Sequence, residues 1–317
     1  FLPDAAVPSF DVSPSENCFT YTAGMQSSME QDGADSGPSS MDESLVLYAQ
    51  AVRATQLIIE RATDAAPDAD IGLMERMVDA LAAAQTELMA PVVEVTRSVY
   101  CPARQGINTA LYALRIAEGL GYSRPERLRL ALAASVHDAG MREYHGLASA
   151  NRSLSPDETM EVRLHTIRGS RILTEIGGLP PEASIVALQH HERMDGGGYP
   201  RALRGDDIHE FSRIVGLCSA YVAMISSRPY RRRLSATESF RILTVGKSGF
   251  EYSLLKLLLE RVGLYPIGCQ VELSSGEQAR VIAPNPSIPQ RPVVRIVADR
   301  NGDVIVGGRV CDLAGDP

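Results

Sequence analysis

Three Ser-x-x-Glu arrangements, at Ser123 and Glu126, Ser155 and Glu158, and Ser235 and Glu238, constrain this chain more than any other feature. In each, the serine hydroxyl and the glutamate carboxylate satisfy backbone amides that the first turn of a helix leaves without partners, so each marks a helix start. Apolar residues at helical intervals follow them, predicting helices around residues 106–119, 125–139, 156–176, 181–193 and 210–226, with SLLKLLLERVG closing a last one near Gly263. The result is a mainly α main domain over residues 100–263. A further pair, Ser40 with Glu43, opens SLVLYAQAVRATQLIIERA, and IGLMERMVDALAAAQTELM follows it. These two predict a helical pair over residues 41–99, antiparallel, and preceding the bundle or packed on it. Residues 1–40 are rich in Ser, Pro, Asp and Gly, bury too little to offset the entropy of ordering, and read as a disordered tail or linker.

After Pro266 the period changes. CQVEL, the turn SSGE, ARVIA, PVVRIVA, the turn DRNGD and VIVGG alternate as strands do, predicting a small β-hairpin appendage over residues 264–317. A net charge of -8 and a pI near 5.4 argue against a protein that coats a nucleic-acid polymer, which needs a broad basic surface. No run reaches the roughly 20 apolar residues that cross a bilayer, and the best stretch, Gly216 to Ile225, is short and contains Ser219. Cys18, Cys101, Cys218, Cys269 and Cys311 are odd in number and scattered, with no Cys-x-x-Cys pair. That pattern predicts reduced thiols and a cytoplasmic protein.

Four of the six histidines fall in three short segments: His137 before Asp138 in ASVHDAG, His165 in RLHTIRGSRIL, and His190 with His191 in LQHHE. Imidazole and carboxylate suit borderline divalent metals, and helices that face one another can collect such ligands in a bundle core. Adjacent ligands on one helix point about 100° apart, so each adjacent pair can serve two neighbouring metals or both edges of one. Taken singly, a histidine on an amphipathic helix is more often a structural residue, and a His-Asp pair more often a hydrogen-bonded core pair. The ordered set on successive helices is what points to a metal.

HDAG at 137–140, HTIRGSRIL at 165–173, HHERMDGGGYP at 190–200 and SRPYR at 227–231 together resemble the HD-GYP branch of the HD phosphohydrolases, metal-dependent phosphodiesterases that act on cyclic di-GMP in bacteria. The resemblance runs from about Tyr100 to Gly263, and YPIGCQVELSSGEQARV resembles the β extension that often follows this domain. It implies an HD-type helical bundle. It implies His137, Asp138, His165, His190 and His191 as ligands to one or two divalent ions such as Fe or Mn, with Asp138 the bridging, catalytic carboxylate. It also implies that Gly198, Tyr199 and Pro200 shape a loop beside the nucleotide, and that Arg228, Tyr230 and Arg231 face its phosphates and bases.

Three positions depart from the family pattern: Gln105 stands for a histidine, Met141 for a lysine and Ser219 for an aspartate. Losing a carboxylate and an imidazole weakens the attraction for cations where desolvation is already costly. Methionine offers a phosphate no hydrogen bond. Two readings follow. One is a signalling protein that binds cyclic di-GMP or a related dinucleotide, or a protein partner, with little or no turnover. The other is an active phosphodiesterase that hydrolyses cyclic di-GMP to pGpG or GMP. The paired N-terminal helices also make a homodimer plausible.

Overall fold

The computed structural model describes residues 40–61, 71–82, 89, 101–148, 150–176, 178–227, 233–245 and 249–315. The tail over residues 1–39, and with it Cys18, lies outside them. Helix α1 spans Ser40–Arg61, α2 Ile71–Ala82, α3 Pro102–Gly119 and α4 Arg124–Ser135. A 3-10 helix, Ala139–Tyr144, leads into the single turn α5, His145–Ala148. Then come α6 Pro156–Arg163, α7 His165–Glu175, α8 Glu182–Gln189, α9 Glu210–Ile225, α10 Ala236–Val245 and α11 Tyr252–Val262.

Helix α3 is buried on almost every side, as a helix at the centre of a bundle must be, and α1, α4, α9 and α11 pack around it. Ile107, Leu111 and Leu114 of α3 share one core with Leu130 of α4, Ile214 and Leu217 of α9, and Leu258 of α11. Helices α1 and α2 add Tyr48, Ile59, Met74 and Met77 to the same core. The buried Tyr48 hydroxyl donates to Asn108 Oδ1 at 2.7 Å, which ties α1 to α3. The serine caps form as their spacing dictates: the Ser123, Ser155 and Ser235 amides each donate at 2.8 Å to the glutamate three residues on.

The helix ends differ from the sequence pattern in one consistent way. The helix expected to reach 139 stops at Ser135, the one expected over 156–176 breaks at Leu164, and the one expected to reach 193 stops at Gln189. At each of these points a histidine ring bonds the carbonyls of the turn just completed, so the chain turns where the apolar pattern would have carried the helix on.

Residues 270–312 form a four-stranded antiparallel meander: β1 Gln270–Glu272, β2 Gln278–Ala283, β3 Val293–Ala298 and β4 Val310–Asp312. Ala279, Val281, Val294, Ile296 and Cys311 make its own small core. The last strand is not VIVGG, as the alternation suggested. Only Val304 of that stretch pairs, in a bridge with Ala298, and β3 takes Val310–Asp312 as its partner because Cys311 can then enter the core. The expectation of five reduced thiols is also corrected. Cys218, Cys269 and Cys311 are free, but Cys101 is disulfide-bonded, since chain separation says nothing of proximity in the fold.

Gly140 sits where the 3-10 helix crosses α7. A Cβ there would lie 2.1 Å from the His165 carbonyl oxygen and 2.7 Å from the Gly169 amide nitrogen, both backbone atoms that cannot swing away. Gly140→Ala should therefore push α7 outward and cost about 1–3 kcal/mol of stability, the range for overpacking a tight contact. Urea unfolding measures it, and an unchanged midpoint would show that the crossing is looser than the geometry states.

Candidate metal centre

His137 follows the C-terminal turn of α4, His165 opens α7 directly after α6, and His190 is the C-cap of α8. A helix end leaves carbonyls without amide partners, and each ring meets that demand. His137 Nδ1 lies 2.7 Å from the Ala134 carbonyl oxygen, His165 Nδ1 2.7 Å from that of Val162, and His190 Nδ1 3.0 Å from that of Ala187. A carbonyl only accepts, so each Nδ1 carries a proton, and in the neutral ring Nε2 then keeps the lone pair.

Those lone pairs converge. His165 Nε2 and His190 Nε2 are 3.4 Å apart, and they lie 3.5 and 3.4 Å from Asp138 Oδ1. Three electron-rich atoms at that spacing repel one another unless a cation lies among them. The spacing suits one: donors held about 2.1 Å from a tetrahedral ion stand about 3.4 Å apart. Ligand atoms of Asp138, His165, His190 and His191 all lie within 4.8 Å of one another, so these four residues can hold a metal ion. When bound, a divalent ion polarises a phosphoryl oxygen and lowers the pKa of a coordinated water.

The electrostatics keep the ligands ready at neutral pH. Burial works against the charge on Asp138, but the facing His137, His190 and His165 rings, once they carry a second proton, outweigh it and hold the carboxyl well below its ordinary range. Burial pushes the His190 imidazole down to about 4 and lowers that of His165. Burial, with His190 and His165 as neighbours, also holds the His191 imidazole well below its ordinary range.

His137 is placed differently. Its ring is fully buried, edge-on to His190 at a centroid distance of 4.8 Å, and its Nε2 lies 3.1 Å from the Ser219 hydroxyl and 3.5 Å from Asp138 Oδ2. Gln105 on α3 donates its side-chain N–H to the Ser219 carbonyl at 3.3 Å. Met141 packs with Tyr144 against Leu147 and Val162.

The GYP loop closes over the cluster. Gly198 lies flat on the backbone of His191, Glu192 and Arg193, where a Cβ would come within 2.5 Å of three backbone atoms. That contact lets the Tyr199 ring stack on His191, with centroids 4.6 Å apart and planes 16° from parallel. Pro200 follows on the same turn. Two residues that the sequence reading did not single out hold this loop. Buried Glu192 accepts from the Arg201 amide at 2.7 Å and the Leu203 amide at 3.0 Å, and the Arg163 guanidinium lies 4.9 Å from the Tyr199 ring centre. The place of Glu192 inside HHE was the available signal for the first; nothing in the sequence marked Arg163. Arg228, Tyr230 and Arg231 lie outside the described residues.

An HD domain family model matches residues 79–251, more than half of the chain, and a model of a KOW domain associated with HD domains matches residues 270–317. A cyclic di-GMP phosphodiesterase of Pseudomonas aeruginosa is 30% identical over 209 residues, 65% of this chain and 50% of that protein. One of Thermotoga maritima is 35% identical over 129 residues, 40% of this chain and 35% of that protein. The chain thus spans about half the length, or less, of the curated relatives it matches. A solved Bdellovibrio bacteriovorus structure, described as an HDG"Y"P protein, superposes with a TM-score of 0.58 at 16% identity, covering 77% of this chain and 80% of that one, and so shares the fold. Among the described residues no helix is long and apolar enough to cross a membrane.

An unfolded histidine takes up a proton near pH 6.5, whereas folded His190 resists to about 4, so acid favours unfolding across that window. Asp138 acts in the same direction lower down: its depressed carboxyl stabilises the fold above the ordinary carboxylate pKa, and that contribution is lost as pH falls through the depressed value. Metal-free protein should lose melting temperature steadily from pH 6.5 toward 4, and His190→Gln should make the slope shallower. A flat profile would mean that the rings are not held neutral.

Proposed function

The chain belongs to the HD domain family and carries an HD-GYP signature, and on that premise we propose that it is a cyclic-dinucleotide signalling module that binds cyclic di-GMP at a metal centre with little or no turnover. The observation that carries this reading is the meeting of His165 Nε2 and His190 Nε2 on Asp138 within 3.5 Å, an arrangement that suits a cation. The names of the relatives supply the ligand class. In this reading Asp138, His165, His190 and His191 hold the ion, and Tyr199 on its glycine-backed loop walls the nucleotide side. Arg228, Tyr230 and Arg231 meet the phosphates and bases, and a protein partner reads the bound state.

The weak turnover follows from what surrounds the ligands. Met141 spends its side chain in an apolar cluster and gives a transferring phosphoryl group no positive charge, and losing one such stabilising donor costs about 100- to 1,000-fold in rate. The complete four-residue ligand set favours the second reading, an active phosphodiesterase, because a divalent ion alone supplies both Lewis acidity and an activated water.

Titrating Mn(II)-loaded protein with cyclic di-GMP in a calorimeter, and following the nucleotide by chromatography, separates the two. Saturable binding, abolished by His190→Gln, with product no faster than about one-hundredth of an active relative's rate supports the receptor. Sustained product formation replaces it with the enzyme, and absence of binding with metal present removes both.

A further inference from the structure

We propose that one half of this centre is sealed from within: Gln105, Ser219 and His137 form a hydrogen-bonded plug, and the chain holds a single divalent cation on Asp138, His165, His190 and His191, with His137 outside its coordination. This rests on the reading above that the cluster binds a metal, and it sets the number of ions and the role of each buried polar group beside them.

The Asp138 carboxylate divides the space. Its Oδ1 faces His165 and His190, while its Oδ2 faces His137. On the Oδ1 side, among the described residues, the two imidazole Nε2 atoms meet each other and the carboxylate. On the Oδ2 side the donors are already used. His137 Nδ1 donates to the Ala134 carbonyl, and its Nε2 and the Ser219 hydroxyl are hydrogen-bonded to each other at 3.1 Å. The Gln105 side-chain N–H then fixes the Ser219 backbone through its carbonyl. All three residues are buried, His137 completely, so water does not compete for these bonds. Three helical segments are joined this way: α3 through Gln105, α9 through Ser219, and the turn after α4 through His137.

A second ion on this side would have to break the Ser219–His137 bond, share the one carboxylate with the first ion, and accept otherwise neutral donors. Desolvating it is costly, and among the described residues Asp138 is the one carboxylate in the ligand group that could offset that. His137 is accordingly a positioning residue. It stands behind Asp138 and against the edge of the His190 ring, and it holds both toward the occupied side.

Loading the purified chain with Mn(II), desalting it and measuring metal by mass spectrometry and electron paramagnetic resonance tests this. One Mn per chain with the six-line spectrum of an isolated ion is expected. His137→Gln should leave the count at one and His190→Gln should bring it to zero. Gln105→His with Ser219→Asp, which removes the plug and adds a charge, should raise the count to two with a coupled spectrum. Two ions in the unaltered chain, an empty His137→Gln protein with native circular dichroism, or a double variant that stays at one would each overturn the proposal. If His137→Gln fails to fold, the unaltered chain and the double variant still decide. Two ions in the unaltered chain would leave the proposed function standing, whereas no ion at all would remove both.

Discussion

The bond from an imidazole N–H to a helix-terminal carbonyl is the interaction on which the rest of this structure depends. It occurs at the ends of α4, α6 and α8, with His137, His165 and His190. One contact does two things there. It satisfies a carbonyl that the helix leaves without an amide, and it fixes which ring nitrogen keeps its lone pair. Because the rings sit on helix ends, their orientation is set by the backbone of three helices, of which α4 packs on α3, α8 on α4, α7 and α9, and α6 on α7. A metal ligand oriented through its second nitrogen is a better donor and loses less entropy on binding.

Electrostatics then sort the polar groups around Asp138 into two populations. On one side are atoms with lone pairs and no protons to share, a high-energy arrangement that a cation relieves. On the other are atoms that have found one another, with Ser219 between Gln105 and His137. A buried polar group costs 1–3 kcal/mol when left unpaired, so the paired side is at rest and the unpaired side is not. The loop carrying Tyr199 adds a wall held both by Glu192 with its two amide partners and by the stacking of Tyr199 on His191 of the cluster.

The mainly helical bundle with a small β module was legible in the sequence, because capping and periodicity are local and each Ser-x-x-Glu met its own backbone. Less legible were the ends. Periodicity carried α4 and α8 past their true last residues, since apolar spacing does not register a side chain that bonds backward to a carbonyl. The strand at Val310–Asp312 was misplaced onto VIVGG for a related reason: both stretches alternate, and only the β3 register and the demand for Cys311 in the core choose between them.

By itself the sequence determined the residue types available to a cation, their order along the chain and the three departures at Gln105, Met141 and Ser219, since these are matters of identity and spacing. Only the tertiary structure decided that Asp138 faces two ways, that His165 and His190 meet one of its oxygens with His191 beside their rings, and that His137 turns to Ser219 at the other. Those outcomes depend on directions of ring nitrogens to within about an ångström, and such directions are set by how distant helices pack, which no local pattern encodes.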